Sequence, residues 1–195
     1  DKISDIFILL QHNPVFTANR ETTFKNILAP DEVLAAEGIE VCRTDRGGDV
    51  TYHGPGQITG YLILDLKQNG KDLHAYIRNV EQLLIDCLAR YGIDSGRDKK
   101  HPGVWVGHEK IAAIGIAVKS GWITMHGFAL NVHPNMDHYK MIIACGIVDK
   151  GVTSMRRLLK RDIAIEDVNR RLVTAYEKIF NVRTRRITME DLEWL

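Results

Sequence analysis

KIAAIGIAVKSGWITMHGFALNV, residues 110–132, is the stretch on which the fold turns. Residues 111–118 and 122–132 are two apolar runs rich in β-branched side chains. Ser120-Gly121 between them has tight-turn chemistry, so the pattern predicts a β-hairpin. Strands joined by so short a turn are antiparallel. Outward from the hairpin, 104–106, 58–66, 39–42 and 6–10 read as further short strands, the last of them buried. Residues 73–91 are the clearest helix. Leu73, Tyr76, Ile77, Val80, Leu84, Cys87, Leu88 and Tyr91 form one apolar stripe, and Gly92 can end it. Val168, Leu172, Ala175, Tyr176, Ile179 and Phe180 mark a second amphipathic helix. RGGDVTYHGPGQ (46–57) reads as a loop in which Pro55-Gly56 is placed for a type II turn. Residues 133–155 read as irregular. Strands outnumber helices, which predicts an α+β fold with a mixed, largely antiparallel sheet packed with helices, over a doubly wound parallel sheet.

The 195 residues suit one domain spanning 1–195, without repeats or a dividing linker. A net charge of +1 argues against a nucleic-acid partner met by a uniformly basic surface. No apolar run reaches the roughly 20 residues that span a membrane. Cys42, Cys87 and Cys145 are too few and scattered for a disulfide framework, and no cluster has zinc-ligand spacing. A reducing cytoplasm is the natural setting, and no metal is expected. The sequence starts at Asp1 and runs at once into a strand, so a native N-terminal segment is expected to precede it.

Four features could carry chemistry. Cys145 lies in the irregular IIACGIVDKGVTS, beside a small residue, where a thiol has access to solvent and to backbone donors. Cys42 and Cys87 end or lie on apolar runs and read as small buried hydrophobes. Lys110 heads a strand almost without polar residues. The plainer reading points it into water; the sharper one sets its ammonium against apolar walls, where it can act as acid or base. His126 shares a strand face with Trp122, Phe128 and Leu130 by alternation and reads as a satisfied core residue. The glycine-rich 46–57 stretch matches no nucleotide-phosphate motif, and its glycines leave room for backbone to approach a ligand.

Taken together, RGGDVTYHGPGQITGYLI, PGVWV, KIAAIGI, TMHGFALNV and ACGI followed by VTSM, with the upstream HNPVFTANR, closely resemble the lipoyl(octanoyl) transferase family over about residues 5–180. Two departures are Ala144, where the family commonly has proline, and Leu62, where GYPI becomes GYLI. The family's initial strand and helix are absent before Asp1. The resemblance implies the fold of biotin and lipoate protein ligase catalytic domains. It implies transfer of an octanoyl group from acyl carrier protein to a lysine of lipoyl domains of 2-oxo acid dehydrogenases or of the glycine-cleavage H protein. It makes Cys145 the nucleophile and Lys110 its activator. Substrate-binding backbone falls at Arg46, Gly47, Gly48, Asp49, Val50, Thr51, Tyr52 and His53, at Ala113, Ile114 and Gly115, and at Gly127, Phe128 and Ala129. No cofactor is implied beyond the phosphopantetheine arm that brings the acyl group.

These assignments lead to an acyl groove walled by the 110–118 strand and by 127–129, with 46–53 folded over it and Gly115 in its wall. They also give the basic run Arg156, Arg157, Lys160 and Arg161 a reading as a docking site for an acidic carrier, against the plainer reading of a solvated turn. The competing readings are an ATP-dependent lipoate or biotin ligase and a non-catalytic binding protein of the same fold.

Overall fold

The two apolar runs of 110–132 pair as an antiparallel hairpin in the computed structural model, which describes residues 4–19, 21–147, 149–188 and 191. In chain order the elements are β1 (Ile6–Leu10), β2 (Val15–Ala18), α1 (Glu21–Phe24), α2 (Asp31–Ala36), β3 (Glu40–Arg43), β4 (Thr51–His53), β5 (Gln57–Ile63) and α3 (Leu73–Ala89). There follow β6 (Gly96–Arg97), β7 (Val104–Val106), β8 (Glu109–Lys119), β9 (Ile123–Asn131), β10 (Gly151–Val152), α4 (Met155–Leu159) and α5 (Ile165–Phe180). The large sheet runs β1-β5-β9-β8-β7-β6, with β10 also beside β8, and a small sheet runs β3-β2-β4. Every pairing is antiparallel except β10 with β8 and β2 with β3. The α+β expectation and the mixed, mainly antiparallel sheet are both met.

Helices α3 and α5 pack against each other over one face of the large sheet. The predicted stripe of α3 supplies buried Tyr76, Val80, Leu84, Cys87 and Leu88, and α5 supplies Val168, Leu172, Ala175 and Tyr176. Each fully buried leucine or valine contributes about 1.5–3 kcal/mol relative to exposure. Asp72 caps α3 by accepting from the Ala75 N–H at 3.0 Å, and Gly92 ends the turn beyond it at φ 74°. A second apolar cluster of Phe16, Ala18, Leu34, Ile39, Val50, Tyr52 and Ile142 lies under the small sheet. Partly buried Ala144 packs against it, so this cluster anchors the chain entering Cys145.

Several readings need correction. Residues 46–57 are not wholly loop: Thr51–His53 pair with β2 and become a strand. The Pro55-Gly56 turn does form, with Gly56 at φ 82° and the Gln57 N–H donating to Gly54 O at 3.1 Å. The strand beginning near residue 58 stops at Ile63, and a 3-10 turn follows at Leu66–Asn69. Trp122 is not in the hairpin strand; it completes the turn at φ 66° and is exposed. The strand near 39–42 exists but lies at the edge of the small sheet, so Cys42 is exposed and is not a core residue. Strand β2 and helices α2 and α4 had no clear periodicity to announce them. Among the described residues, no helix is long and apolar enough to cross a membrane.

Candidate active site

A β-bulge aims Lys110. Trp105 pairs with Lys110 and Val104 with Ala112, so two residues of β8 match one step of β7, and Ile111 is the extra residue. Simple alternation would put Lys110 on the same face as Ala112 and Ile114, under the helices. The bulge instead turns it to the opposite face with Trp105 and Ala113. Its aliphatic stem lies beside Gly103: a Cβ there would stand 3.4 Å from Lys110 Cε and 2.6 Å from Ala112 O. Lys110 is 7% exposed, its Nζ sits 4.9 Å from the Trp105 ring centroid, and no carboxylate pairs with it among the described residues. The ammonium is thus buried beside the indole and does not point into water.

Cys145 stands on a strained turn. Its φ of 56° and ψ of 18° are left-handed, as is Gly146 at φ 67°. The Cys145 N–H donates to Val50 O at 2.8 Å, the Gly146 N–H to Ile143 O at 3.0 Å and the Ile147 N–H to Ala144 O at 3.1 Å. The amides nearest the thiol are therefore already engaged, that of Gly146 among them. Asn26 steadies the turn from outside. Its amide donates to both oxygens of Asp49 at 2.9 and 3.0 Å, and its carbonyl accepts from the Ile143 N–H at 2.8 Å. Beyond the turn, β10 docks on β8 with Gly151 opposite Glu109 and Val152 opposite Lys110, and Thr153 N–H donates to Lys110 O at 3.0 Å. Val148, inside the expected cysteine segment, and Arg20, inside HNPVFTANR, lie outside the described residues.

Cys145 and Lys110 meet in one cleft, which Thr51, Trp105, Ala113, Asn131, Tyr139 and Lys150 also line. Its floor is a polar network. Asn131 Oδ1 accepts from Gln57 Nε2 at 3.0 Å and from the Tyr139 hydroxyl at 2.9 Å, and Asn131 Nδ2 donates to Thr153 O at 3.1 Å. Burial raises the Tyr139 hydroxyl's pKa well above the ordinary tyrosine range, so it remains a donor. Sequence reasoning missed Gln57, Asn131, Tyr139 and Lys150. Gln57, Asn131 and Lys150 lie inside quoted stretches, while nothing local marked Tyr139.

The remaining expected site residues surround this cleft unequally. Thr51 and Ala113 line it; Ala129 pairs with Ala113, and Val50 holds the Cys145 amide. Gly47 lies over β8, its N–H donating to Ile116 O at 3.1 Å. Arg46 is buried beside it, donating from Nε to Thr17 Oγ1 at 3.2 Å and from Nη2 to Thr17 O at 2.7 Å. Burial disfavours its charge, while nearby Cys145 and Asp49 support it. Gly48 turns the chain at φ 95°. Gly115 does not face open space: a Cβ there would stand 2.9 Å from Gly47 O, so a larger residue displaces the loop instead of filling a groove. Ile114 and Phe128 face the helical core, the Phe128 ring covering Gly60, and can offer a ligand only backbone. Tyr52 is buried in the second cluster. His53 donates from Nδ1 to Gln57 Oε1 at 2.8 Å, and burial lowers its pKa to about 4 despite that bond. His126 is not a core residue. A left-handed step at His126 (φ 65°) breaks the alternation, and its ring bonds Asp45 at 2.7 Å above the sheet near Tyr61.

Comparison with known proteins adds a family. The sequence profile of the lipoyl protein ligase A/B catalytic domain matches residues 1–177. An octanoyltransferase of Caldicellulosiruptor saccharolyticus is 48% identical over 195 residues, 99% of this chain and 83% of that protein. An octanoyltransferase of Desulforamulus reducens is 43% identical over 182 residues, 93% of this chain and 79% of that protein. The crystal structure of lipoate-protein ligase A bound with ATP superposes with a TM-score of 0.80 over 97% of this chain and 78% of that one, at 16% identity. At that identity the likeness concerns the fold alone.

Proposed function

The chain belongs to the lipoyl protein ligase A/B catalytic-domain family, and from that membership we propose that it carries an octanoyl group from octanoyl-acyl carrier protein, through a thioester on Cys145, to an acceptor lysine. The acceptors on this reading are the lipoyl domains of 2-oxo acid dehydrogenases and the glycine-cleavage H protein. The observation that carries the proposal is the convergence of Cys145 and Lys110 on one cleft from separate elements. The naming of close relatives as octanoyltransferases supports the acyl group.

The chemistry divides into two displacements. In its charged form, Lys110 stabilises the Cys145 thiolate, which attacks the carbonyl carbon of the donor thioester. A new carbon–sulfur bond forms at Cys145, the old one breaks, and the departing carrier thiolate takes its proton from the Lys110 ammonium. The acceptor amine then attacks the Cys145 thioester. Lys110, now neutral, accepts the amine's proton as the amide forms and Cys145 leaves as its thiolate. A thioester donor is already activated, so neither step needs ATP. Because the amides of Cys145, Gly146 and Ile147 are engaged, the developing oxyanion draws its donors from across the cleft, which the Lys110 ammonium lines.

The test is to incubate the protein with octanoyl-acyl carrier protein, without ATP, and weigh it by intact mass spectrometry. The expected result is one octanoyl adduct, discharged by an added lipoyl domain. Octanoylation of the acceptor only when ATP is supplied, with no adduct on the protein, would establish the ligase reading instead. Binding with neither outcome would leave a non-catalytic binding protein.

A further inference from the structure

Lys110 is not the only ammonium in the cleft. Lys150 lines it too, and its Nζ stands 4.6 Å from the Trp105 ring centroid, against 4.9 Å for Lys110. The indole is 4% exposed. Sharing one ring, the two cations lie within about one Debye length at 0.1 M salt, so each feels the other. Their partners differ. Lys150 forms an ion pair with Asp98, and both side chains are largely buried. Asp98 is itself fixed by the N–H groups of Lys100 at 2.8 Å and His101 at 3.0 Å. Lys150 first, and those amides after it, hold its carboxyl well below the usual carboxylate range. Lys110 has no carboxylate partner among the described residues. Lys150 also ends the segment leaving Cys145, one residue before β10 docks beside Lys110.

We propose that Lys150 and Asp98 form a positioning pair for the reaction: Lys150 closes the wall of the cleft against Trp105, and Asp98 cancels the charge this brings. Lys110 is left as the uncompensated ammonium facing Cys145. The inference rests on the roles proposed above for Cys145 and Lys110. Other titratable groups stand around this end of the cleft. Tyr139 is kept neutral by burial. The His101 ring lies 6.3 Å from that of Trp105. Glu109 turns to Arg157 at 3.3 Å. Behind the cysteine turn, Asp49 is tied to Asn26 and Arg46 to Thr17.

The pair makes a signed prediction that a merely structural latch does not. Removing the Asp98 charge leaves an extra cation in the cleft, which favours a thiolate and a neutral amine, so the pH profile of Cys145 acylation moves to lower pH. Removing the Lys150 charge leaves an extra anion, so the profile moves to higher pH. Removing both returns it to the wild-type position. A latch would slow every variant and move none of them.

The experiment follows acylation of Cys145 by S-octanoyl-N-acetylcysteamine, read by intact mass, across the pH range in which thermal melts show each protein folded. The expected result is a shift of about half a pH unit or more downward for Asp98→Asn and upward for Lys150→Met. Asp98→Asn/Lys150→Met should restore the wild-type position. Lys150→Arg should keep both the profile and most of the rate, because a guanidinium still pairs with Asp98. Single variants that fold and show no shift, or that shift in the same direction, overturn the proposal. If Lys150→Met does not fold, Asp98→Asn decides alone, since a profile unmoved or moved upward is fatal. A wild-type protein that takes up no octanoyl group defeats the underlying reading as well. A labelled wild type with unmoved variants defeats only this inference.

Discussion

Replacing Gly103 by alanine should damage the protein far more than the same change at Gly107, four residues away on the other side of β7. At Gly107 the backbone is left-handed at φ 58°, and an added Cβ meets nothing within 4 Å. The cost there is the backbone alone, about 1 kcal/mol. At Gly103 the φ of 128° is also unfavourable for an L side chain, and the Cβ would stand 2.6 Å from Ala112 O, a backbone atom in the bulge. Backbone strain of about 1–3 kcal/mol and overpacking of similar size give about 4 kcal/mol in all. For a chain of 195 residues, the expected loss in Tm is roughly 2–4 °C at Gly107 and roughly 8–16 °C at Gly103. Relief at Gly103 requires the bulge or the Lys110 stem to move, and a displacement of about 1 Å at a reacting group costs on the order of 100-fold in rate. Calorimetry and octanoylation of Cys145, measured where both variants are folded, provide the comparison. If Gly103→Ala proves as mild as Gly107→Ala on both measures, the bulge does not hold Lys110 as described.

Peptide mapping should find the octanoyl mark on Cys145 alone; exposed Cys42 is the internal control for indiscriminate acylation, and a mark there with Cys145 free refutes the assignment. Lys110→Ala should slow acylation greatly without unfolding the protein, and Lys110→Arg should rescue it poorly because an always-charged group cannot take the amine's proton; full activity in the arginine variant would leave charge as the whole requirement. The unfolded chain protonates His53 near 6.5 while the folded protein resists until about 4, so stability present above pH 6.5 should be lost as pH falls through that window, by up to about 3 kcal/mol. Denaturant titrations should show His53→Gln flattening that slope, and an unchanged slope would assign the acid sensitivity elsewhere. Neutralising Arg156 and Arg157 together should slow transfer from octanoyl-acyl carrier protein but scarcely affect octanoyl-CoA, with the defect shrinking as salt rises; equal losses with both donors would indicate a structural role for their contacts to Asp162 and Glu109.

The sheet class and long helices were legible because they rest on periodicity over many residues. Helix α3 announced itself through a stripe of apolar positions, and the 110–132 hairpin through two runs and a turn. What escaped depends on single residues. One extra residue, Ile111, reverses the face of Lys110, and one left-handed step at His126 takes that ring out of the core. Neither leaves a trace in composition or spacing. Strand β4 hid in a glycine-rich stretch because its pairing partner, β2, lies far back in the chain. Cys42 looked buried because an apolar run does not say whether its strand is central or at an edge. For the site, no spacing rule brings residue 145 to residue 110. The motif resemblance named both, and the parallel pairing of β10 with β8 supplies the physical reason they meet.

The left-handed backbone at Cys145 bears on how the protein should be handled as well as on how it works. A cysteine at φ 56° costs about 1–2 kcal/mol that glycine would not, and asparagine also tolerates this conformation well. The residue proposed to carry the acyl group is thus not the one that would make the turn most stable. Selection for heat resistance alone would be free to discard the thiol. The choice of inactive variant follows from this: Cys145→Gly relaxes the turn and can melt higher than the active protein, whereas Cys145→Ala keeps the strained backbone and better preserves the cleft for trapping a donor or an acceptor.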